Sequence, residues 1–125
     1  MVDHTILLSK LYHYGIRGIA HSWIKSYLSD RKQYVALNNK TSSTLDMVYG
    51  VPQGSILGPL LFIIYINDIP NINNAVKFIM YADDANILIT GHNMIEIEQT
   101  FCTLVKQLEK WVDLNGLALN LKKTN

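Results

Sequence analysis

The sequence predicts an α+β fold, a small antiparallel sheet with helices packed on one face. Three observations carry that prediction. Apolar residues recur every three or four positions along residues 3–14, 19–28 and 94–114, the period of a helix with one buried side. Two apolar runs, Val76–Tyr81 and Asn86–Thr90, have the length and composition of buried strands and are separated only by a short polar tip, so they read as a tight hairpin. With 49% apolar and 17% charged residues, the chain can build a core and does not have the composition of a disordered segment.

The elements follow in order. The first helix spans residues 3–14, with Asp3 as its N-cap and Ile6, Leu7, Leu11 and Tyr14 as its apolar stripe. Gly15 and Gly18 bracket a break. A second helix, Ile19–Leu28, sets Ala20, Trp23, Ile24, Tyr27 and Leu28 at helical spacing, and Ser29-Asp30-Arg31-Lys32 turns the chain. Gln33–Leu37 and Ser43–Tyr49 read as paired strands joined by a tight turn at Asn38-Asn39-Lys40. Asn39-Lys40-Thr41 also matches a glycosylation acceptor. No basic-then-apolar export signal opens the sequence, so it reads as part of that turn.

Residues 50–59 form a loop rich in glycine and proline, and a helix begins near Pro59, where a missing N–H does no harm. That helix is apolar nearly all round (Leu60, Leu61, Phe62, Ile63, Ile64, Ile66), which predicts burial on several sides, with Pro70 ending it. Beyond the hairpin, Gly91-His92-Asn93 turns the chain into a long helix, Met94–Leu114. Met94, Ile97, Phe101, Leu104, Val105, Leu108, Trp111 and Val112 form its sheet-facing side. Gly116 is placed to cap it, and Leu117–Leu121 reads as a short final strand.

Composition narrows the chemistry. A single cysteine, Cys102, excludes an intrachain disulfide and a thiolate cluster, and reads as a small helix-face residue. The four histidines, His4, His13, His21 and His92, show no metal-ligand spacing and read as structural or surface groups. The longest apolar stretch, Ile56–Ile66, is broken by Gly58-Pro59 and is too short to span a bilayer, so an intracellular protein is expected. The net charge of +1 hides an uneven distribution: residues 1–45 carry +4, 46–100 carry −5 and 101–125 carry +2. A basic flank around an acidic centre suits a protein that grips phosphates at its edges and holds cations in the middle. It equally suits an ordinary solvated surface.

The acidic centre includes the adjacent Asp83 and Asp84, at the tip between the two strand-like runs. Burying an unpaired carboxylate is costly and two side by side repel, so something positive should face this tip. A hard divalent cation is the simplest candidate, because Mg²⁺ takes one or two protein carboxylates together with substrate phosphates. The plain alternative is an exposed Asp-Asp turn, against which the strongly apolar flanks argue. Neighbouring strand residues point to opposite faces, so a two-metal cage needs a third carboxylate from another strand. The other acids fill that role poorly: Asp30 and Asp46 lie beside turns, Asp68 and Asp113 near helix ends, and Glu96, Glu98 and Glu109 on a solvent-facing helix side. Upstream, glycines at 50, 54 and 58 let backbone approach a ligand closely, and Gln53 among them can both donate and accept hydrogen bonds. The same glycines would also serve a plain turn leading into a helix.

Tyr81-Ala82-Asp83-Asp84 resembles the polymerase-site hairpin of reverse transcriptases. Gly50-Val51-Pro52-Gln53-Gly54-Ser55-Ile56-Leu57-Gly58-Pro59-Leu60-Leu61-Phe62 resembles the segment that precedes it in the enzymes of non-long-terminal-repeat retrotransposons, of the Jockey and LINE type. The Trp-containing end of the long helix, the Asn115-Gly116-Leu117 turn, and Asn120 followed by Lys123-Thr124 resemble the tail of the same pattern. The resemblance covers nearly all of residues 1–125 and implies the later part of a polymerase palm. It implies RNA-directed DNA polymerisation, in which Mg²⁺ ions assist phosphoryl transfer from deoxynucleotides to a DNA primer on an RNA template. It assigns Asp83 and Asp84 as catalytic metal ligands, with Asp83 the bridging one. It places Pro52, Gln53, Gly54, Tyr81 and Ala82 beside the incoming nucleotide and template base, and Lys123 near the nucleotide phosphates.

The resemblance also implies a gap. Val2–Leu8 resembles the stretch just after the family's first catalytic strand, whose metal-binding Asp, with the sugar-screening aromatic residue and the basic fingers region, falls several residues before Asp3. These 125 residues alone are therefore expected not to polymerise, with apolar helix surface and a strand edge left uncovered. The alternative reading is a catalytically dead nucleic-acid-binding or interaction remnant. An open frame with an upstream Asp favours the enzyme; a stop codon there favours the remnant.

Overall fold

The structure is a computed structural model that describes residues 1–52, 54–82 and 84–118. Helix α1 (His4–His13) starts where Asp3, in extended backbone, accepts the N–H groups of Thr5 and Ile6 on Oδ1 at 2.8 and 3.0 Å. It stops at Gly15, whose φ of +92° is open to glycine. Gly15 N–H then reaches the Tyr12 carbonyl at 3.1 Å and Ile16 N–H the Leu11 carbonyl at 2.9 Å, the paired bonds of a Schellman cap. Helix α2 (Gly18–Leu28) follows.

Next comes an antiparallel ribbon in two pieces. Strand β1 (Lys32–Gln33) pairs with β4 (Leu45–Asp46), and β2 (Ala36–Leu37) pairs with β3 (Lys40–Thr41). Asn38 and Asn39 both take positive φ, +47° and +61°, between the partners Leu37 and Lys40, which makes this a two-residue hairpin turn. The expected longer strands, Gln33–Leu37 and Ser43–Tyr49, are interrupted in the middle. Two residues separate β1 from β2 but three separate β3 from β4, and Ser42 Oγ fills the irregular step by accepting Val35 N–H at 2.9 Å. Tyr49 forms an isolated bridge to Asp3, back at the start of α1.

Helix α3 (Leu57–Ile66) leads through a 3-10 turn (Ile69–Ile72) to strand β5 (Val76–Tyr81), its partner β6 (Asp84–Ile89) and helix α4 (Met94–Leu114). Pro70 acts four residues upstream of itself. It has no N–H to give the Ile66 carbonyl, so α3 ends at Ile66 and Pro70 sits inside the 3-10 turn rather than at the helix end. Asn93 caps α4 by accepting Glu96 N–H at 2.9 Å. Gly116, at φ +59°, closes it with a second Schellman pair, Gly116 N–H to Asp113 and Leu117 N–H to Val112.

The core is helical. Leu7 and Leu11 of α1, Leu28 of α2, Leu61, Tyr65 and Ile66 of α3, and Trp111 and Val112 of α4 pack together with Val2. Tyr65 is wholly buried, and its hydroxyl donates to the Asn115 carbonyl while accepting Asp3 N–H at 3.3 Å. Lys10 reaches in beside it, bonding the Tyr65 carbonyl and Asp68 Oδ1, each at 2.7 Å, with its ammonium 5.0 Å from the Trp111 ring centre.

Several expectations need correction. In place of one small sheet, the described residues form three separate two-stranded antiparallel ribbons, although the mixed α+β class holds. The strands β5 and β6 are half-buried on one face and exposed on the other, not buried throughout. On α2 only Leu28 is buried, Ala20 is exposed, and Trp23 is 58% exposed, because no described element covers that face. Helix α3 leaves Leu60 and Ile63 about half exposed, and the start of α4 leaves Met94 and Phe101 open. Tyr14, expected in the stripe of α1, is its exposed C-cap residue. The expected strand Leu117–Leu121 and the residues Gln53, Asp83 and Lys123 lie wholly or mainly outside the described residues.

Candidate active site

The acid-bearing segment is a tight hairpin as expected, but its second strand runs Asp84–Ile89 rather than Asn86–Thr90, so Asp84 is a strand residue paired with Tyr81 and not part of the tip. Tyr81 pairs with Asp84, leaving two positions for the turn, and Ala82 there takes φ +52°. The pleat sorts the side chains: Val76, Phe78 and Met80, with their partners Ile89, Ile87 and Ala85, share one face, and Met80 packs against the helical core. Lys77, Ile79, Tyr81, Asp84, Asn86 and Leu88 share the other face, which is exposed along its length. Asp84 therefore stands on the open side of the hairpin, next to Tyr81, which is 83% exposed.

The glycine-rich loop comes to this tip. Val51, Pro52, Gly54, Gly58, Pro59, Phe62, Ile63 and Ala82 line one cavity of about 310 Å³. The loop is cinched onto the start of α3: Ser55 Oγ donates to the Pro52 carbonyl at 2.7 Å and accepts Gly58 N–H at 2.9 Å. A Cβ at position 58 would meet the Pro52 carbonyl oxygen at 2.6 Å, so only glycine allows the approach. Gly54 turns the backbone at φ +77° on the cavity wall. Of the predicted site residues, Pro52, Gly54 and Ala82 are thus brought together. Tyr81 and Asp84 sit beside them on the hairpin's open face.

The residues here that could hold a metal ion are Asp84 and its sequence neighbour Asp83. Among the described residues no three His, Cys, Asp or Glu side chains gather to hold a metal ion. Asp3 is committed to capping α1, Asp68 to Lys10, and Asp46 lies 3.9 Å from Lys32, whereas Asp84 has no ion-pair partner among the described residues. Adjacent carboxylates at 83 and 84 match what Mg²⁺ takes from protein when phosphates and water supply the remaining ligands.

The profile of the family described as reverse transcriptase (RNA-dependent DNA polymerase) matches residues 1–125. The chain belongs to the reverse transcriptase family. It is 33% identical to the probable RNA-directed DNA polymerase from transposon BS of Drosophila melanogaster, over 98% of this chain and 14% of that protein. It is 31% identical to the RNA-directed DNA polymerase from mobile element jockey of Drosophila funebris, over 80% of this chain and 12% of that protein. A polyprotein from type-1 retrotransposable element R1 2 of Nasonia vitripennis is 32% identical over 60% of the chain. This reverse transcriptase chain therefore spans about one seventh or less of the length of its first curated relatives. No solved structure matches it. None of its described helices is long and apolar enough to cross a membrane.

Sequence reasoning missed the polar groups that tie the site to the core. Tyr65, inside an apolar helix run, gave no periodicity signal, yet burial raises its hydroxyl pKa above the ordinary 10.0. Three of the histidines hydrogen-bond backbone carbonyls, as their structural reading expected: His4 to Gly50, His13 to Ser9 and His21 to Leu8. That His4 reaches the glycine-rich loop had no signature in its spacing.

Proposed function

We propose that residues 1–125 form the later part of the palm of an RNA-directed DNA polymerase, which adds deoxynucleotides to a DNA primer on an RNA template. The observation that carries this reading is the shared cavity: Pro52 and Gly54 of the loop and Ala82 of the acid-bearing hairpin line one space. At about 310 Å³ it is near the lower end of small-molecule sites, roughly 300–1,000 Å³. In this reading Asp83 and Asp84 hold Mg²⁺, which when bound neutralises charge on the attacking and leaving oxygens of phosphoryl transfer. The loop backbone at Pro52–Gly54, with Gln53, borders the nucleotide and template base. Tyr81 and Ala82 at the hairpin tip border the same nucleotide and template base, and Lys123 supplies a cation for the phosphates. A further carboxylate from another part of the polymerase completes the cage.

Manganese, as a paramagnetic stand-in for magnesium, tests the site on this chain. Line broadening of backbone amides is expected to centre on residues 81–85, and to weaken at least about tenfold in metal affinity in Asp83→Asn. In the polymerase that contains this segment, Asp83→Asn should lower magnesium-dependent primer extension by at least about 10²-fold, the loss of about 2.7 kcal/mol or more of charge stabilisation. The lack of a third described carboxylate favours one other reading, a non-catalytic nucleic-acid-binding remnant. RNA binding without tip-centred broadening, and without extension sensitive to Asp83, would establish that reading instead.

A further inference from the structure

Gly50 is the first residue of the glycine-rich loop, and it is held from two directions. Its N–H donates to the Val2 carbonyl at 2.7 Å, and its own carbonyl lies 2.7 Å from His4 Nε2. A carbonyl can only accept, so the imidazole must carry its hydrogen on Nε2. The left-handed φ of +89° at Gly50 turns the loop away immediately afterwards. Two residues later Pro52 is buried in the cavity wall. The segment that holds Gly50 is itself fixed: Asp3 bridges Tyr49, caps α1, and gives its N–H to the buried Tyr65 hydroxyl.

We propose that His4 is a positioning residue, which sets the loop's distance from the hairpin tip through Gly50. The loop then has an anchor at each end. Ser55 and Gly58 fix its exit to α3, and His4 with Val2 fixes its start to the segment leading into α1. The stretch between them, Val51 to Gly54, is short enough that a shift at Gly50 passes directly into the wall that faces Ala82. The proposal rests on the polymerase-site reading for what the loop does, but the clamp can be judged without it.

Two variants separate the hydrogen bond from the bulk of the ring. His4→Gln keeps an N–H donor at similar reach, and His4→Leu keeps size without a donor. Three readouts apply to the isotope-labelled chain. The His4 ring nitrogens of the wild type should report the Nε2–H tautomer. Exchange of the Gly50 amide should quicken about tenfold in His4→Leu, the scale of one lost hydrogen bond, and return in His4→Gln. Exchange at Leu104 in α4 should stay unchanged in both, which excludes general unfolding. With Mn²⁺ at the tip, broadening at Gly54 and Ser55 should fall several-fold in His4→Leu relative to Ala82, and recover in His4→Gln. Wild-type exchange at Gly50 and unchanged relative broadening in His4→Leu would overturn the proposal, as would an Nδ1–H tautomer. If manganese broadens nothing near Ala82 even in the wild type, the metal reading fails and the tautomer and exchange measurements still decide the clamp.

Discussion

The helical half and the stranded half of this molecule are built to different standards. Around Tyr65, side chains from four helices are closed off from water, and the buried hydroxyl has partners on both sides. Lys10, with little of its side chain exposed, is matched by Asp68 and a carbonyl. Among the described residues, none of the six strands contains a fully buried residue, and each pairs with one neighbour only. A lone two-stranded hairpin is marginal in water. The hairpin that bears the acids persists here because Met80 rests against the helical core and β6 packs on α4. Stability and the candidate chemistry thus occupy different regions, joined at the inner face of β5, the Gly50 clamp and the cavity wall.

The sharpest way to break that contrast is to truncate one residue on each side of it. Leu61→Ala removes a side chain that is 2% exposed in the helical core, and should cost about 2–5 kcal/mol. Ile79→Ala removes one that is 48% exposed on the open face of β5, and should change stability by no more than about 0.5 kcal/mol. Urea unfolding followed by far-ultraviolet circular dichroism reads both. Equal losses would mean that the hairpin and the helices share one core after all.

The same division explains what could be read from the residues in advance. Local signals were legible wherever the cause is local: Asp3 capping α1, the Asn38-Asn39 turn, the full span Met94–Leu114 of α4, and the stop at Gly116. Periodicity also named the right faces. It could not say whether anything covers them, which is why Trp23 and Phe101 look like core in the sequence and lie open in the structure. Periodicity likewise gave β5 and β6 the composition of buried strands without showing that only one side meets the helices. At the site, the loop and hairpin motifs were legible and their meeting at one cavity was not, since that depends on how α3 packs. The Lys10, Asp68 and Tyr65 cluster joins positions 58 and 55 residues apart, a pairing no local pattern encodes.

A smaller effect, and one with its own pH signature, follows from Tyr65. Tyr65→Phe keeps the ring but leaves Asp3 N–H and the Asn115 carbonyl without their shared hydroxyl, a loss of about 1–2 kcal/mol near neutral pH. Burial raises the hydroxyl pKa above 10.0 in the folded chain. Below pH 10 both states hold the proton and the stabilisation is complete. Above it the unfolded chain releases the proton while the native chain retains it, so stability falls as pH rises through the folded value. Unfolding free energies measured from pH 8 upward should therefore drop for the wild type above pH 10 and decline less in Tyr65→Phe. Parallel curves would show that the hydroxyl already reaches water.

The smallest change probes whether the first ribbon is energetically separate from the core. Asn39 takes φ +61° at the second position of its two-residue turn, a conformation that asparagine tolerates and glycine adopts freely. Asn39→Gly should therefore steady the turn by about 0.5 kcal/mol, even though glycine also loosens the unfolded chain. Because all four residues of β2 and β3 are exposed, the gain should appear locally. Amide exchange around Leu37 and Lys40 should slow about twofold while the urea midpoint of the whole chain stays where it was. A shift of that midpoint by the same free energy would show the ribbon unfolding together with the helices, and the two halves would then be one cooperative unit despite their unequal burial.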